Sequence, residues 1–157
     1  MRGDIEGTCD LESDFMVETE FLFGFQPKDK HYDVVSSILK AYMATKPFAL
    51  YYPVSALIEI RGVMASHKKD ASDRLSALTF IKAKAISSNL QEVELSSDDL
   101  ILCEDLLMQH RSLTFFDGLH ASVALNNGFT IVSNDQIYDE LGIKRLSFKE
   151  FLDFLSR

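Results

Sequence analysis

The rhythm of hydrophobic positions changes abruptly at residue 15. Before it, MRGDIEGTCDLESD is polar, acidic and without period. It reads as a flexible N-terminal extension, residues 1–14, ahead of one domain over residues 15–157. The next stretch, FMVETEFLFGF, is aromatic and β-branched, which predicts a buried strand ended by the loop around Pro27. In DKHYDVVSSILKAYMA, the apolar residues Val34, Val35, Ile38, Leu39 and Tyr42 recur at helical spacing. FALYYP predicts a second strand stopped by Pro53. VSALIEIRGVMASH predicts a helix with Leu57, Ile58 and Val63 available for packing.

The alternation continues to the end of the chain. Residues 72–88 form a helical pattern with Leu75, Leu78, Ile81 and Ala85 on one side, followed by a short strand, EVEL. Ser96 or Ser97 suits the N-cap of the helix DDLILCEDLLMQH. A further helix opens at FFDGLHASVAL and is stopped by NNG, then come the strands FTIVS and IKRL and a terminal helix, SFKEFLDFL. Strands alternating with helices predict an α/β fold whose mainly parallel sheet is covered on both faces. Sites in such sheets form beyond the carboxyl ends of the strands. That rule places Asp135, just past FTIVS, at the favoured edge and draws attention to Glu18 and Glu20.

Composition narrows the class. Hydrophobic residues make up 46% and charged residues 25% of 157, the balance of a folded domain rather than a disordered chain. No apolar run has the length to span a bilayer, so the expectation is a cytoplasmic protein without a membrane partner. The net charge of −8 weighs against broad coating of nucleic acid, which rests on basic surface. Two cysteines, Cys9 and Cys103, make neither a disulfide framework nor a zinc site.

Four carboxylates stand out by context: Glu18, Glu59, Asp117 and Asp135, with Asp139 a fifth, four residues after Asp135. Taken singly, each has an ordinary role. Asp117 suits a helix cap, Asp135 a turn, Glu59 an ion pair with Arg61 or a lysine, and Glu18 a solvated strand face. Taken together, they would repel one another and resist burial without a cation. Mg2+ and Mn2+ are hard ions that favour oxygen ligands and assist phosphoryl chemistry.

The order of these segments resembles a PIN domain, in particular the ribonuclease toxins of VapC type. In that family an acid followed by Thr or Ser ends the first strand, and a Glu lies inside an early helix. An Asp opens a helix of small residues, and another Asp follows the next strand. VETEFLFGF, PVSALIEIRGV, FFDGLHASVAL and TIVSNDQIYD occupy those places in order, from about Met16 to the C-terminus. The resemblance implies a three-layer α/β/α domain that hydrolyses RNA with Mg2+ or Mn2+. Glu18, Glu59, Asp117 and Asp135 would form its site, with Asp139 as an outer ligand. It also implies a homodimer and a small antitoxin whose tail occupies the active-site groove. One departure is that the family's first acid is usually Asp, whereas this chain has Glu18, longer by one methylene. A catalytically degenerate module that binds RNA or protein is therefore the alternative.

Smaller features fit around this reading. Thr19 and Ser133 stand where hydroxyls accompany the first and last acids. His120 favours packing over general-base chemistry, since water on a metal needs no histidine. Gly118, Ala121 and Ala124 suit close helix packing, and Lys68, Lys69 and Arg74 suit a solvated loop more than an RNA contact. A receiver domain would need adjacent acids after the first strand and a late lysine, and a haloacid-dehalogenase-type phosphatase an Asp-x-Asp start. The chain has neither arrangement.

Overall fold

Five strands, each two to four residues long, carry the whole architecture. A computed structural model describes residues 14–45 and 48–157. The strands are β1 (Phe15–Val17), β2 (Leu50–Pro53), β3 (Leu90–Val93), β4 (Thr130–Val132) and β5 (Arg145–Leu146). They form one parallel sheet in the order β3-β2-β1-β4-β5. The helices are α1 (Thr19–Phe23), α2 (Tyr32–Thr45), α3 (Val54–Ser66), α4 (Ala71–Ser87), α5 (Ser97–Gln109), α6 (Phe115–Asn127), α7 (Ile137–Glu140) and α8 (Phe148–Leu155). Cys9 and all but the last residue of the expected extension lie outside the described residues. Asp14 already belongs to the domain: its carboxylate accepts from the Ala49 amide and its carbonyl from the Thr130 amide.

Strand β1 lies at the centre, and its alternation divides the core. Phe15 and Val17 point into a cluster built with α1, α2, α3, α4 and α8, whereas Met16 joins a second cluster with α5, α6 and α7. Helices therefore cover both faces of the sheet, as the α/β pattern predicts. Helix α2 packs on α8, and α5 packs on α6. That second contact needs a glycine, because a Cβ on Gly118 would stand 3.1 Å from Cys103 Sγ and 3.4 Å from Leu113 Cδ2. The small residues of α6 thus serve close packing. Gly128 ends the helix in the left-handed region at φ 70°, which a residue without Cβ adopts readily.

Three local expectations are corrected. The strand expected through FMVETEFLFGF stops at Val17, and the chain turns into α1 as the Phe21 and Leu22 amides bond back to the Glu18 carbonyl. Phe21 and Leu22 are fully buried, and an apolar run buried all round reads alike in a strand or a helix. On α3, Ile58 is 45% exposed, and the buried positions are Ser55, Ala56 and Ile60. Leu75 on α4 also faces outward, while Ile81 and Ala85 are buried. Ser96 is the N-cap of α5 and makes a capping box with Asp99. Among the described residues no helix is long and apolar enough to cross a membrane.

Candidate metal-binding active site

The parallel register brings the ends of β1 and β4 level, with Val17 paired to Val132. Glu18 leaves the sheet immediately after Val17. Asp135 follows Val132 by three residues, so both acids reach the same edge. Asp117 arrives in the first turn of α6, and Glu59 in the second turn of α3, which begins where β2 ends. All four line one cleft of ≈ 540 Å³, together with Thr19, Glu20, Phe23, Asp29, Lys30, His31 and Asn134.

The four carboxylates sit in different environments. Glu18 is only 7% exposed, and its Oε1 has no hydrogen-bond partner among the described residues. Burial pushes its pKa up to about 8, opposed by the Glu20 backbone amide and reinforced by the charges of Glu20, Glu59 and Asp117. Asp117 is also raised, chiefly by burial. The Thr114 hydroxyl, which donates to Asp117 Oδ2 at 2.6 Å, pulls the other way. Thr114 is the N-cap of α6, so Asp117 is left to face the cleft.

Glu59 is half-buried, and burial pushes its carboxyl up. The His120 and Thr19 hydrogen bonds outweigh that push and hold it below the usual carboxylate range. Its Oε2 takes the Thr19 hydroxyl at 2.5 Å and His120 Nε2 at 2.8 Å. Asp135 is exposed and closes a turn: its amide donates to Ser133 Oγ, and its Oδ1 accepts from the Ile137 amide. The two hydroxyls therefore have different tasks. Thr19 orients Glu59 rather than its neighbour Glu18, while Ser133 braces the Asp135 backbone.

Asp139, expected as an outer ligand, is not brought to the cleft. Arg145 of β5 forks onto it, with Nε to Oδ1 at 3.0 Å and Nη2 to Oδ2 at 2.9 Å. A guanidinium in this geometry matches a carboxylate and occupies both of its oxygens. Lys68 and Lys69 are exposed before α4, Arg74 in its first turn is partly buried, and none of the three lines the cleft. His120 is fully buried as expected of a packing residue, yet both ring nitrogens have polar partners.

Sequence reasoning passes over several residues of the cleft. His31 Nε2 lies 2.6 Å from Glu20 Oε1, its ring meets Phe148 edge-on, and Lys30 stands beside it. These residues precede α2 in a loop, and no spacing rule marks them. Tyr138 of α7 is completely buried, and its hydroxyl is unpartnered among the described residues. Its pKa is raised well above the usual value by burial first, then by Glu18, Asp117, Asp135 and Glu59, so the phenol lies within electrostatic reach of all four acids.

The donor set fits a hard divalent cation. It is all carboxylate oxygen, and the buried, unpartnered Glu18 Oε1 is the kind of atom that a cation would satisfy. Among the described residues no three Asp, Glu, His or Cys side chains are already drawn into a ligand cluster. The acids line the cleft wall, and binding a cation would require them to draw inward.

Comparison with known proteins agrees with this architecture. The family profile described as PIN domain matches residues 15–144. A search of curated proteins finds no match. Among solved structures, VapBC2 from Rickettsia felis, bound to a DNA fragment from its promoter, aligns at a TM-score of 0.64 and 15% identity, covering 85% of this chain and 98% of that one. VapC20 from Mycobacterium tuberculosis, a sarcin-ricin loop cleaving toxin, aligns at 0.61 and 17% identity, covering 82% and 95%. FitAcB from Neisseria gonorrhoeae aligns at 0.62 and 10% identity, covering 86% and 98%. At these identities the likeness is one of fold.

Proposed function

The chain belongs to the PIN domain family, a family of nucleases, and from that premise we propose that it is a metal-dependent endoribonuclease, the toxin of a toxin–antitoxin pair. One observation carries the reading. Four carboxylates from four separate segments line one cleft, and the most buried of them keeps an oxygen without a partner. Evolution of a stable core alone gives no reason to place such groups together, because each adds desolvation and repulsion. The similarity in fold to VapC20, a sarcin-ricin loop cleaving toxin, supports the toxin assignment.

Glu18, Glu59, Asp117 and Asp135 would hold Mg2+ or Mn2+. Such an ion, when bound, lowers the pKa of water and neutralises charge on a phosphodiester. The chain's own residues divide the remaining work. Thr19 and His120 keep Glu59 ionised and fixed, and Thr114 orients Asp117. Lys30, which lines the same cleft, supplies positive charge toward the RNA phosphate in a protein of net charge −8. The proposed assembly is a homodimer in the cytoplasm, with a small antitoxin protein whose tail fills the cleft.

Cleavage of a structured RNA pool tests the reading, first with Mg2+ and then with Mn2+. Wild type should cut only with metal. Asp117→Asn should lose at least about 100-fold in rate, on the order of 2.7 kcal/mol of barrier. Cleavage that persists in EDTA or survives Asp117→Asn would remove the assignment. A degenerate adaptor would show no cleavage and no thermal stabilisation by millimolar Mn2+.

A further inference from the structure

His120 is three residues beyond Asp117 but turns away from the cleft, and its ring is completely buried. A buried imidazole costs free energy unless both nitrogens find partners. Here Nδ1 lies 2.9 Å from the hydroxyl of Ser55, which is also fully buried. Nε2 lies 2.8 Å from Glu59 Oε2 and 3.2 Å from Thr19 Oγ1. An ionised carboxylate accepts only, so the ring proton stands on Nε2 and points at Glu59. In the neutral ring, Nδ1 then accepts from Ser55.

The consequence for Glu59 is asymmetric. Oε2 is committed to two donors, the Thr19 hydroxyl and the His120 ring. Among the described residues Oε1 has no such partner, and it is the oxygen left for the cleft. The chain of contacts joins α1, α3 and α6, three helices that carry residues of the cleft.

We propose that His120 is a positioning residue that, with Ser55 behind it, holds Glu59 so that only Oε1 is presented to a divalent cation. This rests on the metal-site reading given above. Partners of ligating side chains fix ligand orientation, and their loss weakens metal binding by roughly 10- to 100-fold.

The test uses two isosteric half-replacements. In His120→Gln the side-chain amide nitrogen stands near the position of Nε2 and still donates to Glu59. In His120→Asn the shorter side chain reaches only toward Ser55. Mn2+ alone is titrated into each folded protein by calorimetry, and metal-free melting is recorded alongside. His120→Asn should bind Mn2+ at least about tenfold more weakly than wild type, and His120→Gln within about threefold of it. Ser55→Ala, which leaves the ring in place, should weaken binding by about threefold. A structural role alone predicts altered melting in the variants with Mn2+ affinity unchanged, and that result would overturn the proposal. If neither His120 variant folds, Ser55→Ala decides it, and an unchanged affinity there counts against the idea. Wild type that binds no Mn2+ would overturn the metal site and this inference together, whereas equal binding by wild type and His120→Asn overturns the inference alone.

Discussion

Glu59 enters the cleft with one oxygen held by a threonine hydroxyl and a histidine, whereas Glu18 enters from the end of β1 with a buried oxygen that nothing among the described residues satisfies. The chemistry of the two side chains is identical. Their surroundings drive them apart, one carboxyl held low by donors and the other pushed up by burial. The Glu59 side is complete in the folded protein: each side-chain polar atom of Ser55, His120 and Thr19 has a use. The Glu18 side holds two buried polar atoms without a partner among the described residues, Glu18 Oε1 and the Tyr138 hydroxyl. A protein selected for stability alone would fill that side. Leaving it open is understandable if a ligand completes it, and a site built this way has one half that sets geometry and another that responds.

The largest expected effect follows from this contrast and emerges in metal-free protein as pH varies. Glu18 has a folded pKa of about 8 against an ordinary 4.5. Between those values the folded state binds more protons than the unfolded state, so stability falls as pH rises. The contribution of Glu18 is full below about 4.5 and is lost as pH rises through about 8. Asp117, also raised chiefly by burial, adds in the same sense. Glu59 has the opposite sign: its contribution is present above the ordinary carboxylate range and is lost as pH falls through its depressed value. Each pH unit between the folded and unfolded values is worth ~1.4 kcal/mol, so the Glu18 limb amounts to on the order of 5 kcal/mol before relaxation. Urea unfolding in EDTA from pH 5 to pH 9 measures it. Glu18→Gln should flatten the decline, and a wild-type stability that holds constant over that range would show that Glu18 is not desolvated.

A second effect tests whether the responsive side is also catalytic. The proposed role makes Glu18 a ligand one methylene longer than the residue usual in the family. Glu18→Gln keeps the length and removes the charge, so RNA cleavage should fall by at least about 50-fold, or ~2.3 kcal/mol. Glu18→Asp should retain or increase cleavage. Single-turnover rates in saturating Mn2+ make the comparison. Equal rates for wild type and Glu18→Gln would take Glu18 out of the site.

Much of this is legible in the sequence. The strand–helix alternation reports itself through period, and the rule for parallel sheets puts Glu18 and Asp135 at one edge, where register does place them. Asp117 is visible through the resemblance, in which an Asp opens a helix of small residues. What stays hidden is tertiary. The run after Val17 buries Phe21, Leu22 and Phe25, and so short an apolar run does not separate strand from helix by its period. Proximity along the chain assigns Asp139 to the neighbourhood of Asp135, but Arg145 of a later strand takes it first. His31 and Tyr138 acquire meaning only when the α1–α2 loop and α7 fold against the site. The use of His120 is hidden for the same reason: packing and positioning look alike until Ser55 and Glu59 are seen on its two nitrogens.

The smallest effect is the most direct probe of the open side, because its expected sign is unusual. Removing a buried polar group normally destabilises a protein by breaking its hydrogen bond. The Tyr138 hydroxyl is buried without a partner among the described residues, so the folded state bears its desolvation and receives nothing in return. Tyr138→Phe keeps the ring, which packs with Met16, Ala121 and Ile131, and removes only that oxygen. The metal-free variant should be more stable than wild type by about 1 kcal/mol, within the range for an unsatisfied hydroxyl. Guanidinium unfolding at pH 7 in EDTA, with equal slopes for the two proteins, is sensitive enough to resolve it. The same kind of substitution on the complete side, Ser55→Ala, should have the opposite sign, since it takes a partner away from His120. If Tyr138→Phe instead destabilises by about 1 kcal/mol or more, the hydroxyl has a partner in solution, and the two walls of the cleft are less different than the geometry makes them.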